Sequence, residues 1–245
     1  MFQFFVEPHQ VGTEKITITG PDVNHIKNVL RMKPGTKVRI SNKEDKDYIC
    51  HITELSDEEI IAVIDDVDTA GTELPADIVL FQGLPKGDKM ETVIQKNVEL
   101  GVKRIVPVAM SRSIVKLDAK KAKAKVERWQ RIAESAAKQS KRMIIPEISP
   151  VATFKEAIDE MADMDIILFP YENAEGMTDT RAAIETINKG DRVAIFIGPE
   201  GGFEPEEVSK ATEAGAKVIS LGKRILRTET AGMALMSMIM YRLED

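Results

Sequence analysis

Five consecutive apolar residues, Val193-Ala194-Ile195-Phe196-Ile197, run without a polar break into Gly198-Pro199-Glu200-Gly201-Gly202-Phe203. A strand with one face in water alternates apolar and polar side chains, so an unbroken run requires burial on both faces. Parallel sheets covered by helices supply that environment. The run is shorter than a helix and is bounded by Asp191-Arg192 and by glycine, which makes a buried parallel strand its expected state.

The segments around it agree. From about Leu74, strand-like runs at Ile78–Gln82, Arg104–Pro107, Ile166–Phe169, Val193–Ile197 and Val218–Leu221 alternate with helical stretches at Lys89–Leu100, Ala119–Ser140, Thr178–Asn188, Pro205–Ala214 and Thr230–Leu243. This alternation is the mark of an α/β domain. Gly101 stands where a helix C-cap belongs, closing one β-α-β unit between Asp77 and Ala109.

The first seventy residues read differently. Short β-like runs at Lys15–Thr19, Lys37–Ile40, Tyr48–Ile52 and Ile60–Ile64 are separated by turn signals such as Pro34-Gly35. One helix interrupts them, with Asp22 as its expected cap and His25, Val29, Leu30 and Met32 on it. The expected organisation is a small β-barrel-like domain over residues 1–72 and an α/β domain over residues 73–245, joined within Asp65–Pro75.

Composition enters for what it excludes. The longest apolar stretch, Ala231 to Tyr241, is shorter than the roughly 20 residues that span a bilayer. The N-terminal MFQFFVEPHQ meets an acid and a proline before a signal-peptide core forms, so no membrane association and a cytoplasmic location are expected. Cys50 is the one cysteine and reads as a small core residue; with three histidines it offers no metal-ligand spacing, and no metal is expected.

The formal charge is −6, but nucleic-acid binding depends on where charge lies. Asp118–Arg142 holds nine bases against three acids. Residues 1–40 carry six bases against three acids, whereas residues 41–72 carry two against ten. Such runs are either solvated faces or phosphate contacts.

Ligands of open α/β sheets bind beyond the carboxyl ends of the strands, where glycines let backbone groups approach. The loop 198–203 lacks the Gly-Lys-Ser/Thr that a phosphate-binding loop needs, and it does not open an early G-x-G-x-x-G helix. Glu200 would repel a pyrophosphate and suits a sulfonium or an amine. A second strand ends likewise, in Leu221-Gly222-Lys223-Arg224-Ile225-Leu226-Arg227-Thr228-Glu229-Thr230-Ala231. Each loop also has a plain explanation as a strand-to-helix turn, with Glu204-Pro205-Glu206-Glu207 starting one helix and Thr228 or Thr230 capping the last.

Together, I-G-P-E-G-G-F and L-G-x-R-I-L-R-x-E-T-A resemble the SPOUT methyltransferases, and specifically the RsmE type, which methylates N3 of a uridine in 16S ribosomal RNA. The resemblance extends to His25–Arg31 in H-x-x-x-V-L-R, Lys86-Gly87-Asp88-Lys89-Met90-Glu91, Glu99-Leu100-Gly101-Val102, Ser111-Arg112-Ser113 and Arg128–Arg142. It implies a C-terminal domain with a deep trefoil knot, an N-terminal PUA-like barrel and a homodimer. It implies S-adenosylmethionine held by Pro170, Ile197, Gly198, Pro199, Glu200, Gly201, Gly202, Leu221, Gly222, Ile225, Leu226, Glu229, Thr230 and Ala231.

On that resemblance Arg112 and Arg227 are the expected catalytic residues, stabilising charge on the uracil as N3 loses its proton. Glu204, Glu229 or a water would take that proton. Expected RNA contacts are His25, Arg31, Lys33, Lys86, Arg128, Arg131, Arg142 and Arg224, with 16S ribosomal RNA or the small subunit as partner. The competing expectations are a non-catalytic RNA-binding ribosome-assembly factor and a small-molecule α/β enzyme that binds a nucleotide.

Overall fold

The structure is a computed structural model that describes residues 1–244. Two compact units divide it: Met1–Glu73 with Ala137–Ile145, and Leu74–Ala136 with Pro146 onward.

In the first unit β1 (Phe2–Phe5), β2 (Lys15–Thr19), β3 (Lys37–Ser41), β4 (Asp47–Leu55) and β5 (Glu59–Asp68) form one sheet in the order β1-β3-β4-β5-β2. β1 pairs with β3 in parallel and every other pair is antiparallel. Alternate residues Phe4, Ile40, Cys50, Ile52, Ile16, Ile18 and Ile60 fill its core, the expected result of period-two patterning on a sheet wet on one face. Cys50 is fully buried, and burial pushes its thiol up to about 12, so it is inert core as expected.

The expected helix is broken into α1 (Pro21–Asn24) and a single π turn at His25–Val29, closed by Leu30 N–H donating to the His25 carbonyl at 2.8 Å. Asp22 does not cap it. Gly20 holds the N-cap position with φ 75°, and the Asp22 carboxylate accepts from Lys138 Nζ at 3.1 Å instead.

Ala137–Ile145 is held to the first unit by hydrogen bonds to residues far from it in sequence. Glu73 accepts from Arg142 Nε and from the Met143 N–H at 2.9 Å, while Gln3 Nε2 donates to the Arg142 carbonyl at 2.6 Å. A segment that returns to an earlier unit through such bonds leaves no mark in local composition.

The second unit is an α/β layer structure. Its strands are β6 (Asp77–Gly83), β7 (Arg104–Ala109), β8 (Glu147–Ile148), β9 (Ala152–Thr153), β10 (Ile166–Pro170), β11 (Arg192–Ile197) and β12 (Lys217–Ile219). The order is β12-β10-β11-β6-β7-β8, with β9 also on β7, and all pairings are parallel. β11 lies between β10 and β6, which is why Val193 to Ile197 are all buried.

The helices are α2 (Lys89–Glu99), α3 (Ala119–Ser140), α4 (Phe154–Met161), α5 (Thr178–Glu185), α6 (Pro205–Glu213) and α7 (Thr228–Leu243). α4 was absent from the expected elements, although Thr153 and Glu156 form a capping box that announces it. Phe81, Phe169, Phe196 and Phe203 pack at centroid separations of 4.1 to 5.8 Å at the heart of this unit. Phe203 thereby anchors the end of the glycine loop in the core. Among the described residues no helix is long and apolar enough to cross a membrane.

Candidate active site

The carboxyl ends of β10, β11 and β12 converge on one cavity of about 540 Å³. Its walls are Pro170–Glu172, Ile197–Glu200, Gly202, Phe203 and Ser220–Thr228, with Ala231 from α7 and Lys86 and Lys89 from the β6–α2 connection. Volume and position suit an organic ligand of cofactor size at strand ends.

Three neutral contacts hold the walls. Thr228 Oγ1 donates to the Gly198 carbonyl at 2.6 Å and accepts from Gln82 Nε2 at 2.8 Å, joining the glycine loop, β6 and the start of α7. Thr180 Oγ1 donates to the Ser220 carbonyl at 2.7 Å, fixing the end of β12. A Cβ on Gly83 would stand 2.6 Å from Pro199 Cδ and Pro199 N, so only glycine lets β6 and the loop approach.

Thr228 is therefore not a helix cap, and neither is Thr230; Arg227 occupies the N-cap position without a side-chain cap. Gly222 has φ 104°, and its missing Cβ would meet no protein atom within 4 Å, which leaves the cavity open beside it.

Charge is arranged around Glu200. Its carboxylate accepts from Lys89 Nζ at 2.9 Å and from the Lys86 N–H at 3.2 Å. Burial alone would raise its pKa, but the bonds from Lys89 and from the backbone N–H groups of Glu200 and Lys86 outweigh burial and hold it below the ordinary carboxylate range. Lys89 also lies 3.6 Å from Glu229 Oε2, and the hydrogen bond it donates to Glu200 raises the pKa of the lysine.

Eleven of the expected cofactor residues line the cavity: Pro170, Ile197, Gly198, Pro199, Glu200, Gly202, Leu221, Gly222, Ile225, Leu226 and Ala231. Gly201, Glu229 and Thr230 do not. Gly201 faces Arg112, whose Cβ would lie 2.9 Å from a Cβ placed on the glycine. Glu229 turns to Lys89.

Of the two arginines expected in catalysis, Arg227 lines the cavity and is exposed. Arg112 does not line it. Its guanidinium binds Glu204 at two points and the Gly201 carbonyl at 3.0 Å, which holds the Glu204 carboxyl low and makes that glutamate a poor base.

The expected RNA contacts divide in the same way. His25, Arg31, Lys33, Arg131 and Arg224 are exposed, Lys86 and Arg224 lie at the cavity, and Arg128 is paired with Glu91 at 2.7 Å. Arg142 is 2% exposed and bound to Glu73, so it cannot reach a phosphate. Its hydrogen-bond partners are distant in sequence, which hid its burial.

Tyr171, Glu172, Lys89, Phe203, Ser220, Lys223 and Thr228 line the cavity without having been expected there. Lys89 lay within the Lys86–Glu91 segment already singled out, and Glu172 is two residues past Pro170.

Comparison with known proteins gives a consistent result. Residues 72–240 match the model of an RNA methyltransferase domain, and residues 18–65 match an RNA methyltransferase PUA domain. Ribosomal RNA small subunit methyltransferase E of Bacillus subtilis is 36% identical over 250 aligned residues, covering 100% of this chain and 98% of that one. The crystal structure of Ribosomal RNA small subunit methyltransferase E from Neisseria gonorrhoeae bound to S-adenosyl methionine superposes with TM-score 0.84 at 34% identity, covering 97% and 95% of the two chains. A Legionella pneumophila protein solved with bound SAM gives 0.85 at 29% identity, covering 98% and 97%.

Proposed function

Because the chain belongs to the RNA methyltransferase family of the ribosomal RNA small subunit methyltransferase E type, we propose that it transfers a methyl group from S-adenosylmethionine to N3 of a uridine in 16S ribosomal RNA. The observation that carries this is the cavity where β10, β11 and β12 end, lined by Ile197–Glu200 and Leu221–Leu226.

The residues present fit the cofactor. Gly222 leaves space that a side chain would fill, and Leu221, Ile225, Leu226 and Ala231 offer apolar surface for an adenine ring. Glu200 places a carboxylate where a cationic ligand gains from it. When bound, the cofactor supplies an electrophilic methyl on a sulfonium.

The chain's own residues then align the acceptor. Arg224 and Arg227 stand exposed at the cavity rim, able to bind phosphate or the uracil oxygens as negative charge develops on them. Holding donor and acceptor in line accounts for much of the acceleration in such a displacement. The exposed bases His25, Arg31, Lys33 and Arg131 add phosphate contacts that supply affinity. The knot belongs to this proposal, as do a cytoplasmic location and a homodimer paired along α7, where Tyr241 is 83% exposed on an otherwise apolar helix.

The test is transfer of tritiated methyl from S-adenosylmethionine to small ribosomal subunits, followed by nucleoside mapping. N3-methyluridine is the expected product. Cofactor binding without label in RNA would favour the non-catalytic assembly factor, and a labelled nucleoside other than uridine would overturn the N3 assignment.

A further inference from the structure

Methylation at N3 needs an acceptor for the N3 proton that is ionised, near the reacting atoms and free to accept. Two carboxylates line the cavity, Glu172 and Glu200. Glu200 is occupied by Lys89 and the Lys86 N–H. Glu204 is clasped by Arg112, and neither it nor Glu229 lines the cavity.

Glu172 is different. It lies just past β10 on the exposed side of the cavity, and among the described residues no hydrogen bond or ion pair engages its side chain. Its Oε1 is 3.8 Å from the point where a Cβ on Gly202 would stand, so the carboxylate faces the glycine loop.

Resting on the methyltransferase reading above, we propose that Glu172 is a catalytic residue whose carboxylate takes the proton from the target uracil N3. The N3–H bond breaks and the proton passes to a Glu172 oxygen. The electron pair left on N3 forms the N3–CH3 bond, the S–CH3 bond breaks with its pair retained on sulfur, and the sulfonium charge is lost. The proton leaves Glu172 for water once the methylated RNA departs. Lys86, Lys89, Glu200, Arg224 and Arg227 are the charged groups that share the cavity lining with this carboxylate, and Arg112 interacts with it electrostatically.

The experiment is single-turnover methylation of small ribosomal subunits across pH by wild type, Glu172→Gln and Glu172→Asp, with cofactor affinity measured by calorimetry. Loss of a general base lowers rates by roughly 10²–10⁴-fold. Glu172→Gln is expected to fall in that range with cofactor affinity unchanged, Glu172→Asp to recover part of the rate, and the glutamine variant to rise about tenfold per pH unit where wild type is level. A Glu172→Gln rate close to wild type, a rate loss matched by lost cofactor affinity, or an unchanged pH profile would each overturn the assignment. A wild-type protein that labels no RNA would instead overturn the methyltransferase reading, so the two failures are distinct.

Discussion

Arg112 meets Glu204 at two points, Nε to Oε1 at 2.9 Å and Nη2 to Oε2 at 3.1 Å, and Gly201 faces the same arginine. The loop after β7 is thereby fastened to the glycine loop and to the first turn of α6. An arginine that resembles a catalytic group in sequence acts here as a clasp.

Gly201→Val should therefore destabilise the protein more than it blocks the cavity. The new side chain meets Arg112 Cβ at 2.9 Å and its carbonyl oxygen at 3.3 Å. Overpacking of this kind costs about 1–3 kcal/mol. For a chain of this size that lowers Tm by roughly 2–12 °C, and thermal melting checks it. A variant that melts like wild type yet loses cofactor affinity would show that Gly201 faces the ligand instead.

Thr228 gives a second prediction. Thr228→Val keeps the shape but leaves the Gly198 carbonyl without its 2.6 Å donor and removes one of the two acceptors of Gln82 Nε2. An unpaired buried polar group costs about 1–3 kcal/mol. Because Gly198 and Thr228 are both cavity walls, cofactor affinity should fall together with stability, and Thr228→Ser should restore both. Calorimetry of the three proteins decides it; wild-type affinity in Thr228→Val would detach this contact from the site.

These two residues mark what the sequence revealed and what it hid. The run Val193–Ile197 and its glycines disclosed a central parallel strand and a strand-end site, because burial on both faces and backbone approach leave compositional traces. Thr228 was legible only as a helix cap, since its partners Gln82 and Gly198 lie 146 and 30 residues away. β1 escaped because its ladder partner is β3, thirty-six residues on, and its Phe-Gln-Phe-Phe is too short for a period to show. The same holds for Arg142, whose burial depends on Glu73. Periodicity reports the local environment of a segment and is silent on which distant segment supplies it. A knot, being a crossing of chain segments, is invisible to it for the same reason.

Glu200 predicts a pH dependence. Its folded pKa lies below the unfolded value of about 4.3, so its pairing with Lys89 and two backbone N–H groups stabilises the protein above that pH. The contribution fades as pH falls from about 4.3 through the lower folded pKa. Thermal melts of wild type and Glu200→Gln should differ at neutral pH and converge in that acid window. A stability gap that stays constant down to the acid limit would remove the carboxylate from this role.

Arg224 and Arg227 differ from Arg142 in a way that binding to RNA can measure. The first two are exposed at the cavity rim, and among the described residues neither forms an ion pair. Arg142 is buried against Glu73. Each phosphate contact to single-stranded RNA contributes about 0.7 to the slope of log affinity against log salt. Arg224→Ala and Arg227→Ala should therefore weaken binding and flatten that slope by roughly this amount apiece, with melting close to wild type. Arg142→Ala should leave the slope of the folded protein unchanged and instead cost on the order of 3 kcal/mol in a denaturant melt, because the buried guanidinium and its pairing with the partly buried Glu73 are lost. Filter binding of small-subunit RNA across salt, paired with denaturant unfolding, separates the two classes. A flattened slope in Arg142→Ala without loss of stability would return that arginine to the RNA surface.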